Sequence, residues 1–393
     1  MDRSIFVPSL RSALPEPRCH PRVAGSGPLF PKLDQRRLAL PNQNIPASEA
    51  VILLDLPPHS PNAEIMSEPQ ISDDIFRLTS ANPAPGNYSA GYFTGHRGVE
   101  IRYGLFRSDV VPARGTIVLL QGRNEFIEKY FETIRNLNAM GLWVATYDLR
   151  GQGGSDRLKK DPKKGHVHRF SDYEKDLEIF LEQVVLPDAR LPFFLVAHST
   201  GALIALSAAP RLSNRISRMA LASPYIGFHG QPASEKFARP LARLMSWTGL
   251  GGIQLGGDRR QIPFEGNGLT GDRRRFDRNL DLYKAFQNLT VGAPTARWVH
   301  ETLKAASRVS LQSHLTEITI PTLILAPVLD GVVPYRLQEN LSRNFRAGQL
   351  ITVTGGRHEL FQEKDIYRAQ AMDAIETFMP GLDGGLDMAE TAA

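Results

Sequence analysis

Phe193-Phe194-Leu195-Val196-Ala197-His198-Ser199-Thr200-Gly201-Ala202-Leu203-Ile204-Ala205-Leu206 runs from a strand-length apolar stretch, through a tight turn, into a helix of small residues. A serine at such a junction is lifted above the edge of a sheet, where its hydroxyl is open to attack a substrate. Small residues two before and two after the serine let strand and helix approach closely, and here they are Ala197 and Gly201. The start of the helix under Ser199 favours developing negative charge.

Working outward, strand-length apolar runs alternate with helical periods. Thr116 to Leu120, Leu142 to Tyr147, Phe193 to Ala197, Met219 to Ala222, Thr322 to Ala326 and Gln349 to Val353 read as strands. Ile127 to Met140, Tyr173 to Val185 and Gly201 to Ala209 read as helices. Tyr92 to Gly95 and Val99 to Phe106 alternate around His96-Arg97-Gly98, which reads as a hairpin. Strands alternating with helices imply an α/β domain with a mostly parallel sheet covered on both faces. Residues 224–312 interrupt this rhythm with glycine-rich turns and helical stretches, Phe276 to Phe286 and Arg297 to Ala306, and read as a helical cap. The core is then 66–223 with 313–380. Residues 1–65, rich in Pro, Ser, Arg and Asn, read as a disordered extension, and 381–393 as a flexible tail. The segment opening at Met66, MSEPQISDDIF, reads as a natural start of translation, which an intact mass of the native protein tests.

The 393 residues are 42% hydrophobic and 22% charged, ordinary for a globular protein with a large core. A single cysteine, Cys19, excludes a disulfide framework and a multi-cysteine metal site. No metal and no organic cofactor is expected. No Lys/Arg stripe or nucleic-acid motif stands out, so no nucleic-acid partner is expected. Neither a signal peptide nor a run of about 18 apolar residues is present, so no transmembrane segment is predicted and a cytoplasmic location is expected.

A serine needs a base to take its proton. Of ten histidines, only His358 lies in a loop after the last strand, in Thr354-Gly355-Gly356-Arg357-His358-Glu359. His198 adjoins the serine but reads as pointing away from it. The acid that orients the base should follow an earlier strand, and Asp330, before Gly331 in the loop after Thr322 to Ala326, fits. The oxyanion requires two backbone N–H groups. Thr200 supplies one, and Arg123 in Gln121-Gly122-Arg123-Asn124 the other, with Asn124 the alternative.

These residues resemble the monoacylglycerol lipase and bacterial lysophospholipase branch of the α/β-hydrolase superfamily, over roughly residues 90–380. The resemblance is carried by Asp148-Leu149-Arg150-Gly151-Gln152-Gly153-Gly154-Ser155, Gly122-Arg123-Asn124-Glu125-Phe126, Gly356-Arg357-His358-Glu359-Leu360 and Leu289-Thr290-Val291-Gly292-Ala293-Pro294-Thr295-Ala296-Arg297-Trp298. The sequence departs from the family at Gln121, where a histidine is usual, and at Ala197, where a glycine is usual. The resemblance implies an α/β-hydrolase fold and hydrolysis of a fatty-acyl ester of a single-chain lipid, by acyl transfer to Ser199 and attack of water activated by His358. Alternatives are a carboxylesterase for small soluble esters and a catalytically silent binding protein of the same fold.

Residues 224–312 hold 13 Lys/Arg against 7 Asp/Glu, a net of +6, above the +5 of the whole chain. Such a cap is expected either to attract phosphorylated head groups or an anionic membrane surface, or to be simply a solvated helical face. The densest cluster, Arg273-Arg274-Arg275, is the candidate for head-group binding. Leu244, Met245, Trp247 and Leu250 read as packing within the cap, with lining of an acyl channel the alternative.

Overall fold

A computed structural model describes residues 75–227, 232–256 and 263–379 of the chain, with only the backbone of 232–236. The expectations for residues 1–65 and 381–393 lie outside the described residues. The core strands are β1 (Tyr88–Thr94), β2 (Glu100–Phe106), β3 (Gly115–Leu120), β4 (Leu142–Tyr147), β5 (Phe193–His198), β6 (Arg218–Ala222), β7 (Thr322–Pro327) and β8 (Gly348–Val353). They form one sheet in the order β1-β2-β4-β3-β5-β6-β7-β8. The β1–β2 hairpin pairs antiparallel to itself and to β4, and every later pairing is parallel.

The sequence dictates why both faces must be covered. In β3 and β5 every residue is buried. Alternate side chains enter opposite cores, as the two-residue period of a strand requires. Val118, Leu120, Leu195 and Ala197 join one core; Ile117, Leu119, Phe194 and Val196 join the other. The first core is closed by α2 (Ser171–Phe180), α4 (Thr200–Ala208), α7 (Ala296–Val309), α8 (Gln312–Glu317) and α9 (Tyr335–Arg343). The second is closed by α1 (Phe131–Ala139) and α10 (Asp365–Phe378). A single turn, α3 (Leu186–Asp188), leads into β5.

Helix α4 is apolar all round and buried at every position, as a helix wedged between sheet and neighbours must be. Gly201 on its first turn meets β3 directly. A Cβ there would lie 2.5 Å from the Gln121 carbonyl oxygen and 2.6 Å from that of Leu120. Only glycine permits this approach.

Two helical expectations shift in detail. The stretch from Ile127 opens as a 3₁₀ turn, Ile127–Tyr130, before α1 begins at Phe131. The stretch from Tyr173 starts two residues earlier and passes into a π-turn at Leu181–Val185. Between β6 and β7, ahead of α8, lie α5 (Pro232–Trp247), α6 (Arg273–Ala285) and α7. Asp272 and Thr295 cap the latter two, accepting from the backbone N–H groups of Arg275 at 2.8 Å and Trp298 at 3.3 Å. The reading of Leu244, Trp247 and Leu250 as packing residues is overturned. All three are exposed, Trp247 at 86%: α5 presents Leu244 and Trp247 outward, and Leu250 follows on the turn beyond it.

Candidate active site

The loops after β3, β5, β6, β7 and β8 leave the same, carboxyl edge of the sheet, where ligands of open α/β sheets bind. Ser199 stands at the end of β5 with φ 50° and ψ −114°, a conformation that strains a residue bearing a Cβ. It is pinned from β6: its N–H donates to the Ala222 carbonyl at 3.0 Å, and its own carbonyl accepts from Tyr225 N–H at 3.1 Å.

Three of the sequence candidates come together here. The Ser199 hydroxyl lies 2.9 Å from His358 Nε2. His358 Nδ1 lies 2.9 and 3.0 Å from the two oxygens of Asp330. Asp330 Oδ1 also accepts from the N–H groups of Val332 at 2.7 Å and Val333 at 2.8 Å. This fixes the carboxylate so that His358 carries its proton on Nδ1 and presents Nε2 to the serine as acceptor. All three side chains are buried, so the contacts act in a medium of low dielectric.

The Gln121–Asn124 loop, where an oxyanion donor is expected, is held from several sides. The Gly122 N–H donates to Glu125 Oε2 at 2.5 Å, and the Asn124 N–H donates to Gln152 Oε1 at 3.1 Å. Both amides flanking Arg123 are therefore committed, which removes Asn124 as a donor to substrate. Gln152 also donates to the carbonyls of Gly122 and Glu125, each at 2.9 Å. Thus Gln152 is the residue of the Asp148–Ser155 loop that faces the site. Arg150 instead pairs with Asp176 at 2.5 Å. The glycines of that loop make room for a buried ion pair. A Cβ on Gly153 would fall 2.2 Å from Asp148 Cγ, and one on Gly154 2.3 Å from Arg102 Nε. Arg102 and Asp148 pair at 2.6 Å.

The Leu289–Trp298 segment docks on this loop. Asn124 Oδ1 accepts from Val291 N–H at 2.7 Å, the Arg123 guanidinium donates to the Gly292 carbonyl, and it sits 5.3 Å from the centre of the Trp298 ring.

The arginine cluster does not act as a unit. Arg275 turns inward, 2% exposed, and pairs with Glu132 at 2.5 Å, Asp365 at 2.6 Å and Asp272 at 3.0 Å. Its guanidinium also donates to the Glu363 carbonyl. It fastens α6 to the core and is no candidate for head-group contact. Arg273 is exposed and paired with Asp277 at 2.8 Å, and Arg274 is exposed. On a helix consecutive residues point about 100° apart, which divides the three.

Sequence reasoning missed a buried polar cluster beneath the triad, built from Glu125, Lys129, Tyr130, His198 and Glu359. The available signal was Glu125 placed four residues before Lys129, a spacing at which opposite charges meet on a helix. Among the described residues no group of three or more His, Cys, Asp or Glu is arranged to hold a metal ion.

A family model described as serine aminopeptidase, S33 matches residues 111–365. Lysophospholipase L2 of Escherichia coli (strain K12) is 32% identical over 299 residues, 73% of this chain and 86% of that protein. Probable lysophospholipase L2 of Haemophilus influenzae is 28% identical over 307 residues, 77% of this chain and 96% of that one. Among solved structures, a soluble variant of monoglyceride lipase from Saccharomyces cerevisiae, in complex with a substrate analog, superposes with a TM-score of 0.62 at 19% identity, covering 76% of this chain and 99% of the other. The structural likeness shows the α/β-hydrolase fold.

Proposed function

We propose, for a chain that belongs to the serine aminopeptidase, S33 family of α/β-hydrolases, that it is a carboxylic ester hydrolase cleaving the fatty-acyl ester of a lysophospholipid or monoacylglycerol through an acyl-enzyme on Ser199. The observation that carries the chemistry is the 2.9 Å contact between Ser199 Oγ and His358 Nε2. The substrate class is supported by 32% identity to lysophospholipase L2 across 86% of that protein.

In this reading Ser199 Oγ attacks the ester carbonyl as His358 Nε2 takes its proton. The carbonyl π electrons move to oxygen, and the oxyanion is met by the N–H groups of Arg123 and Thr200. Collapse breaks the bond to the alcohol, the glycerophosphodiester of a lysophospholipid or the glycerol of a monoacylglycerol, which leaves with the proton from His358. Water then enters, gives a proton to His358 and attacks the acyl carbon; a second collapse releases the fatty acid and returns the proton to Ser199. Asp330 holds the imidazole tautomer and stabilises the imidazolium of each step. A substrate panel of lysolipids, monoglycerides and p-nitrophenyl esters of rising chain length, run on wild type beside Ser199→Ala, tests this. Long-chain substrates are expected to lead. A maximum at acetate with no turnover of long-chain lysolipid would instead assign a small-ester carboxylesterase.

We further propose that the cap meets an anionic membrane surface, in a cytoplasmic protein. Among the described residues no helix is long and apolar enough to cross a membrane. Yet Phe237, Leu241, Leu244 and Trp247 lie exposed along α5, with Leu250 and Ile253 exposed just beyond. Beside them is a groove of about 590 Å³ between α5 and α7, lined by Arg243, Arg297, Trp247 and His300, continued by a second of about 440 Å³ with Arg239 and Lys304. Apolar side chains that enter the acyl boundary beside cations that meet phosphates are the chemistry of interfacial binding.

A further inference from the structure

The cluster under the triad has a geometry that the three-residue mechanism does not use. Glu125 is fully enclosed, and four donors converge on its carboxylate. They are the Gly122 N–H at 2.5 Å, the Tyr130 hydroxyl at 2.7 Å, Lys129 Nζ at 2.7 Å and His198 Nδ1 at 3.0 Å. The other nitrogen of His198, Nε2, faces the backbone carbonyl of His358 at 3.1 Å. That carbonyl also accepts from the Ser223 hydroxyl at 2.6 Å. Lys129 reaches on to Glu359, next to the base, at 2.8 Å. One carboxylate is thereby joined to the oxyanion loop through Gly122, to the residue before the nucleophile, and through it to the backbone of the base.

We propose that Glu125 and His198 are positioning residues that hold the oxyanion loop, the nucleophile turn and the His358 loop in one register. This inference rests on the reading that Ser199, Asp330 and His358 perform the chemistry. Both nitrogens of His198 face acceptors, an arrangement that favours the imidazolium. Burial alone would discharge it; the Glu125 carboxylate outweighs burial and raises its pKa. For Glu125, burial opposes the charge, while Lys129 and His198 hold it well below the usual carboxylate range. The packing is tight enough to fix the amino acid at the neighbouring position. A Cβ on Gly122 would lie 2.6 Å from Glu125 Oε2 and 3.1 Å from His198 Nδ1. Loss of the charge pair lets the oxyanion donors drift, and a displacement of about 1 Å there lowers rate by about 10²-fold.

The test uses the full chain with Glu125→Gln, His198→Gln and His198→Leu. Turnover of p-nitrophenyl decanoate is followed, and affinity is measured for a long-chain trifluoromethyl ketone, which adds to Ser199 as an oxyanion. Wild-type labelling of Ser199 by a fluorophosphonate checks the underlying reading; its absence overturns both. With labelling intact, Glu125→Gln is expected to lower kcat about 10²-fold with KM held within about threefold. Ketone affinity should fall in proportion to kcat/KM, because the ketone samples the same donors as the transition state. His198→Gln keeps a donor toward the His358 carbonyl and should retain about tenfold more activity than His198→Leu. A kcat unchanged while the melting temperature drops, or a KM that rises while ketone affinity holds, overturns the proposal. Should Glu125→Gln fail to fold, Tyr130→Phe, which takes the hydroxyl away from Glu125 and His198, and Ser223→Ala, which removes one bond to the His358 carbonyl, probe the same network. His198→Leu and Ser223→Ala each remove a donor to one acceptor, the His358 carbonyl, so their combined loss should depart from the product of the single losses. Losses that simply multiply also overturn the proposal.

Discussion

At residue 199 the backbone takes φ 50° and ψ −114°, a conformation that costs about 1–3 kcal/mol for a residue with a side chain. The strain is held by the β6 hydrogen bonds and by the contact of Gly201 with β3. Gly201→Ala must push α4 from the sheet, because a Cβ would meet the Gln121 and Leu120 carbonyls at 2.5 and 2.6 Å. Fluorophosphonate labelling should slow by about 10²-fold or more; an unchanged rate would show that the turn does not need this close approach. Ser199→Ala should reduce kcat by about 10⁶-fold. Asp330→Asn should reduce it by about 10⁴-fold with KM little changed, since an amide at 330 presents its own N–H to Nδ1 and selects the wrong tautomer of His358. Chain order made these three residues legible. It could not show Glu125 or His198 at work, because a carboxylate and an imidazole 73 positions apart carry no pattern that links them.

At the scale of the element, α6 is fastened to the core by charge. Burial opposes ionisation of Glu132, but its hydrogen bonds to Arg275 and Arg278 hold its carboxyl down at about 2 against an ordinary 4.5. A carboxyl depressed in the folded state contributes stability above pH 4.5, and this is lost as pH falls from there toward 2. The difference in unfolding free energy between wild type and Glu132→Gln, from urea melts, should therefore shrink over that window. A constant difference would rule out the coupling. Arg275→Met removes a buried guanidinium whose carboxylate partners keep partial access to water, and should destabilise by about 2 kcal/mol, whereas Arg274→Ala on the exposed side should stay within about 0.5 kcal/mol. Equal effects of the two would contradict the inward turn of Arg275. The sequence showed three adjacent arginines. It did not show that a helix would begin at Arg273 and send the third into the core.

For the molecule as a whole, the exposed stripe on α5 and the cationic groove beside it predict binding to vesicles of mixed phosphatidylcholine and phosphatidylglycerol, weakened by salt. The emission of Trp247 should shift to the blue on binding, and Trp247→Ala with Leu244→Ala should release the protein. Retention of the double variant on anionic vesicles would move the contact elsewhere. The alternation of apolar runs with helical periods was enough to determine the covered parallel sheet, because burial on both faces leaves a local mark on the central strands. The order serine, acid, histidine determined which loops meet, since strands of a parallel sheet end on one edge. Folding in three dimensions decided the rest. Whether an arginine faces solvent or a carboxylate, whether an apolar residue packs or stands exposed, and which buried groups share a proton all depend on the neighbours that distant segments bring. Those neighbours are set by the packing of the complete sheet and its helices, and no stretch of sequence contains them by itself.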